Sequence, residues 1–144
     1  MNTEIRFYHN APDRLRVACV LAAKASGSGR KVSVLAPEGG MARQFDQMLW
    51  GFQPLAFVPH VPAGSPLAPE TGVVIGSSVA SLPHDDVLIN LGDALPEEID
   101  RFGLVIEIVG PSDPERLAAR GRYRQYKERG YPLNAHDLAQ RNGE

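Results

Sequence analysis

The chain has 144 residues, 43% hydrophobic and 22% charged, which suits one soluble globular domain spanning residues 1–144 with a proper core. Its 15 basic and 17 acidic residues leave a net charge of −2, without the overall basic excess of a protein that coats nucleic acid. A single cysteine excludes an internal disulfide framework, and no apolar run approaches the ~18 residues of a membrane span.

Ile5 to His9 (IRFYH) reads as a first strand. Ala11 to Ala25 reads as a helix, with Asn10 as its N-cap, Pro12 near the first turn, and Leu15, Ala18, Cys19 and Ala22 at helical spacing. SGSG at Ser26–Gly29 ends it, and Lys31 to Ala36 (KVSVLA) is a second strand. Met41 to Trp50 is expected to be helical, with Phe45, Met48 and Leu49 facing a core. A short strand at Ala56–Val58 precedes a loop from Pro59 to Pro69, forced by four prolines. Val73–Ile75, Val87–Leu91 and Leu104–Val109 are further strands. Apolar on successive residues, VLINL and LVIEIV suit strands covered on both faces. Pro96 to Phe102 is a short helix between the last two, and Ser112 caps a final helix reaching about Arg129, with Pro114 in its first turn. Strands alternating with helices imply a single three-layer α/β domain with a mostly parallel sheet.

The sequence carries no signature of chemistry. The glycine-rich SGSGRK at Ser26–Lys31 follows a helix and precedes a strand, the reverse of the order that aims backbone amides at a phosphate. Ser77–Ser78 has no GxSxG frame. The four histidines, 9, 60, 84 and 136, lack metal-ligand spacing, and His84–Asp85–Asp86 reads as a surface turn. Cys19, within VACVLAA, reads as a buried inert thiol. No catalytic residue, metal or cofactor is therefore expected. MNTEIRFYHN has no positive region followed by an apolar one, so no signal peptide is expected and the chain is expected in the cytoplasm.

Two segments stand out. LWGFQPLAFVPH, Leu49 to His60, places Trp50, Phe52 and Phe57 within nine residues, and Trp50 at a helix end suits an interface anchor as well as a core residue. RLAARGRYRQYKERGY, Arg116 to Tyr131, holds six basic residues against one acid, +5, leaving nine basic and sixteen acidic residues, −7, elsewhere. At about 100° per residue, Arg116, Arg120, Tyr123 and Lys127 fall within an arc of roughly 60°, while Arg122 and Arg129 lie on another flank near Ala118 and Tyr126. Arginine forks beside a tyrosine suit an anion with an apolar part: single-stranded nucleic acid, or an acidic peptide. The −7 body favours the peptide, because it repels a long polyanion.

The same segments carry a family likeness. IRFYH, LW followed seven residues later by FVPH, and RxRYxxY followed by GYPLN together resemble the chi subunits of bacterial DNA polymerase III, accessory proteins of the clamp loader. The resemblance spans nearly the whole chain, although Val61 to Ser81 matches no motif of the family. It implies a Rossmann-like fold without a nucleotide site and a subunit with no catalytic activity of its own, working within a holoenzyme that is a DNA-directed DNA polymerase. It implies binding of the acidic, phenylalanine-ended C-terminal tail of single-stranded DNA-binding protein, which tethers the replicase to coated template, so that DNA is met only indirectly. Arg116, Arg120, Tyr123 and Val109 match that tail pocket. Trp50, Phe57 and His60 match the surface that docks the psi subunit or another clamp-loader component, for which a DNA-repair helicase can compete. The alternative is a direct single-stranded nucleic-acid binding module.

Overall fold

The computed structural model describes residues 3–51 and 58–139. In chain order its elements are β1 (Glu4–His9), α1 (Arg14–Gly27), β2 (Val32–Leu35), α2 (Gly39–Gly51), β3 (His60–Pro62), β4 (Val73–Gly76), β5 (Val87–Asn90), β6 (Leu104–Ile108), α3 (Asp113–Glu128) and β7 (Leu133–Asp137). The strands form one seven-stranded sheet in the order β3-β4-β2-β5-β6-β1-β7, and its pairings are all parallel.

Continuous apolar runs place this sheet between two layers. Every residue of β2, β4, β5 and β6 is buried. Side chains alternate between faces along each strand. Val73, Ile75, Val87, Ile89, Ile106 and Ile108 therefore meet Ala18, Cys19 and Ala22 of α1 and Phe45 and Leu49 of α2. Val74, Leu88 and Val105 point the other way, into a second core with Phe7, Ala119 and Tyr126. The helical layers thus hold α1 and α2 on one face and α3 on the other.

Parallel strands need crossovers, and the crossover from β6 to β7 passes over β1, which lies between them. That route sets α3 above β1. Phe7 consequently meets both Tyr123 and Tyr126 edge-on, at ring centroid distances of 5.4 and 6.0 Å.

Both ends of α3 are encoded locally. The Ser112 hydroxyl accepts from the Glu115 N–H and donates to the Glu115 carboxylate, satisfying one orphan amide of the first turn. At the other end Gly130 adopts φ 86°, where a Cβ is strained. Its N–H donates to the Lys127 carbonyl and the Tyr131 N–H reaches back to that of Tyr126, while the two tyrosine rings meet 6.2 Å apart. Pro132 then cannot continue the helix, and Leu133 begins β7.

Several local expectations are corrected. Asp13, not Asn10, caps α1, accepting from the Arg16 N–H; Asn10 is left-handed with φ 60°. The proline-rich loop contains a strand, β3, at the sheet edge where proline's missing N–H is tolerated. Val58 is not in a strand, and the rest of that expected element lies outside the described residues. Between β5 and β6 the expected helix is only a single 3₁₀ turn, Ile99–Arg101. Finally, β7 escapes a reading of apolar runs because LNAHD is an edge strand whose three central residues are exposed.

Candidate functional site

An open groove of about 450 Å³ runs between α3 and the C-terminal ends of β1 and β6. Phe7, Val109 and Ala119, at most 6% exposed, form an apolar floor. Tyr123 walls one side, 38% exposed, held by its edge contact with Phe7. Arg116 and Arg120 stand one helical turn apart on the rim, with His9 and Asn10 opposite. The four residues expected from the last helix and the strand before it, Arg116, Arg120, Tyr123 and Val109, therefore line one groove.

The rim arginines, Arg116 and Arg120, form no salt bridge among the described residues; Arg116 Nη2 donates only a long 3.4 Å hydrogen bond to Asn10 Oδ1. The neighbouring Glu115 is engaged by the Ser112 hydroxyl at 2.8 Å, and Asp137 accepts from Asn10 Nδ2 at 2.8 Å. Guanidinium forks beside an apolar floor can hold a carboxylate on the rim and a flat apolar group below it.

Arg122 has a different fate from its neighbours, and sequence reasoning missed it. It turns inward to Glu107 on β6, Nε to Oε1 at 3.0 Å, and both side chains are at most 5% exposed. The Tyr126 hydroxyl and Asn90 Nδ2 donate to the other carboxylate oxygen at 2.6 and 3.0 Å, and Arg122 Nη1 donates to the Asp93 carbonyl. Burial pushes the Glu107 carboxyl above its ordinary range, against the pull of Arg122 and of these hydrogen bonds. Burial, then the facing carboxylate, also raises the Tyr126 phenol. The available signal was a glutamate inside LVIEIV: a strand covered on both faces cannot keep a carboxylate unpaired.

The Trp50 region lies far from the groove. Trp50 is 55% exposed at the end of α2, and its ring sits 4.7 Å from that of His60 on β3. His60 is buried; Nδ1 approaches the Val58 carbonyl at 2.7 Å, and Nε2 lies 3.2 Å from Asp46 Oδ1. That second contact is off the line of a hydrogen bond, and becomes an ion pair when the ring is protonated. Phe57 lies outside the described residues. With strands spaced ~4.8 Å apart, the five steps from β3 to β1 separate the two regions by about 24 Å.

A second open groove, of about 460 Å³, lies where β2 and β4 end beside α2 and reaches Gly76 and Ser77. It offers Arg43, Asp46 and a serine hydroxyl, and no imidazole or thiol lines it. Among the described residues no cluster of three or more histidine, cysteine or acidic side chains could hold a metal. None of the described helices is long and apolar enough to cross a membrane.

Fold and site together define a doubly covered, all-parallel α/β domain with an arginine-rimmed apolar groove beside α3. The sequence model of the family described as "DNA polymerase III chi subunit, HolC" matches residues 2–134, running through the Val61–Ser81 region as well. Among curated proteins, the chain is 38% identical over 125 residues to the DNA polymerase III subunit chi of Pseudomonas aeruginosa, covering 87% of each. It is 32% identical over 123 residues to that of Haemophilus influenzae, covering 85% of each, and 29% identical over 122 residues to that of Escherichia coli, covering 83% of this chain and 82% of the relative. The chain belongs to the family of chi subunits of DNA polymerase III, accessory subunits in DNA replication.

Proposed function

We propose that the chain is a non-catalytic subunit of the clamp-loader complex that holds the acidic, phenylalanine-ended C-terminal tail of single-stranded DNA-binding protein in the α3 groove. The observation that carries this reading is the pair Arg116 and Arg120, without carboxylate partners among the described residues, above the floor of Phe7, Val109 and Ala119. The tail's terminal carboxylate and aspartates lie on the two guanidiniums, and its phenyl ring enters between Tyr123 and Val109. Both arginines are exposed, so the contact is modest in affinity and weakens with salt, since screening acts over ~8–10 Å at physiological strength.

Trp50, with His60 behind it, anchors the chain to the psi subunit or another clamp-loader component, and a DNA-repair helicase competes for that face. The separation of about 24 Å between the two regions lets both partners bind at once. The chain then links the polymerase assembly to protein-coated template and touches DNA only through its partner. In the cytoplasm a weak, fast contact of this kind suits a moving replicase.

The test is a fluorescence-anisotropy titration with a labelled peptide of that tail, beside the same peptide without its last phenylalanine, a labelled oligo-dT, and the Arg120→Ala protein. Binding to the intact tail alone, lost in Arg120→Ala and weakened by salt, is expected. Binding to oligo-dT without response to the tail hands the stripe, which continues into exposed Arg124 and Lys127, to nucleic acid.

A further inference from the structure

The two edges of the sheet are finished differently. In β3 the Ala63 N–H donates to the Ile75 carbonyl, and Pro62 is set against Ile75. The alternation of a parallel ladder therefore turns the backbone of His60 and Pro62 outward. Proline has no N–H to offer there, which guards that edge against a further strand. In β7 the Ile5 N–H donates to the Pro132 carbonyl, with Leu133 set against Ile5 and Ala135 against Phe7. By the same alternation the N–H and C=O of Leu133 and Ala135 point away from β1. LNAHD holds no proline, lysine or arginine to guard that side, and among the described residues no strand pairs with it.

This open edge runs on from the α3 groove. Ala135 lines the groove together with Phe7 and Tyr123, and Leu133 packs against the same core as Phe7. Exposed Lys127 carries the positive charge of α3 on toward the turn that leads into Leu133. Resting on the reading that the groove takes the end of an acidic peptide, we infer that the residues before that end add to β7 as a short eighth strand. The peptide's C-terminus lies in the groove beside Ala135, and Leu133 is the outward residue farther from it. The added strand therefore passes Leu133 first and runs parallel to β7, about 4.8 Å outside it. Its backbone pairs with Leu133 and Ala135, the mode of recognition by strand addition. Every second side chain then points to the α3 side, where Lys127 favours a carboxylate. Charge also disfavours a second copy of the chain as the occupant, because twofold pairing of two β7 edges sets two basic helix faces side by side.

The experiment titrates the full chain, followed by NMR, with synthetic peptides that end in a free Asp-Asp-Phe. One has four residues, and one has ten, the six added residues alternating threonine and aspartate. Two further ten-residue peptides carry backbone N-methyl groups on either the odd or the even added residues, which removes N–H donors and keeps every charge. Only alternate N–H groups of a strand face its neighbour. The plain ten-residue peptide is therefore expected to bind about tenfold more tightly than one N-methylated version and about as tightly as the other. It is also expected to slow amide exchange at Leu133 and Ala135 about tenfold, which the four-residue peptide does not do. Two N-methylated peptides that bind alike, or unchanged exchange at Leu133 and Ala135, overturn the eighth strand and leave the groove standing. Protection of those amides in the free protein that fades on dilution gives the edge to a second copy and overturns it equally. No binding even of the four-residue peptide overturns the groove's assignment, and this inference with it.

Discussion

Arg122 and Glu107 form a fully enclosed ion pair, 3.0 Å long, inside the segment whose other basic residues face solvent. It takes one positive charge of the Arg116–Tyr131 segment off the surface, leaving five exposed basic residues and Glu128, +4. It also fixes the rotation of α3 over β1. Arg122 and Tyr126 both face inward onto Glu107, so Arg116, Arg120 and Tyr123 are turned to the groove.

Removing one member of that pair leaves an uncompensated buried charge. Arg122→Met is expected to cost about 3–5 kcal/mol of stability, and the double change Arg122→Met with Glu107→Leu to recover part of it, since the Tyr126 hydroxyl and the Asn90 amide then lose their shared acceptor. Urea unfolding of the three proteins measures this. A single variant as stable as the parent counts against a structural role for the pair.

Gly130→Ala forces a Cβ into φ 86° and is expected to cost about 1 kcal/mol, lowering Tm by about 2–4 °C. The loss is concentrated where the turn leads, so amide exchange in β7 should quicken more than in β5. Uniform quickening would remove the link between the turn and β7.

Asp86 accepts hydrogen bonds from Arg30, the nearer at 2.7 Å, and from the Lys31 N–H at 3.2 Å. Arg30 first, against slight burial, holds its carboxyl below the ordinary 3.8. The folded state therefore binds that proton less readily than the unfolded chain. Its contribution to stability is present above about pH 4 and is lost as pH falls through that range. The stability difference between the parent and Asp86→Asn should be full at pH 7 and shrink toward pH 3. Denaturant titrations at four pH values read it, and a difference constant with pH contradicts the linkage.

Cys19 is 0% exposed, and burial pushes its thiol up to about 12. It is expected to ignore Ellman's reagent in native buffer at pH 8 and to react fully in guanidinium. Fast native reaction would place the thiol at a surface and break the α1 core assignment.

The sheet core was legible because burial on both faces demands unbroken apolar runs such as VLIN and LVIEI. The candidate groove was half legible. Helical spacing put Arg116, Arg120 and Tyr123 on one stripe, and Val109 came from the family likeness. The floor was not, because Phe7 lies more than a hundred residues earlier and meets Tyr123 only where the β6–β7 crossover passes over β1. The fate of Arg122 was equally hidden: spacing set it apart from the stripe, and nothing local named Glu107 as its partner.

The sequence by itself determined the alternation of strands and helices, the Ser112 cap, the arginine stripe and membership of the chi family, since each rests on neighbours in the chain or on a pattern of residues along it. Tertiary structure alone decided that β1 lies between β6 and β7, that β7 is a strand at all, and that Arg122 is neutralised inside while Arg116 and Arg120 have no salt-bridge partner among the described residues. The physical reason is common to all three. Edge pairing and buried charge compensation depend on which distant segments meet, and residue spacing along one chain carries no record of that meeting.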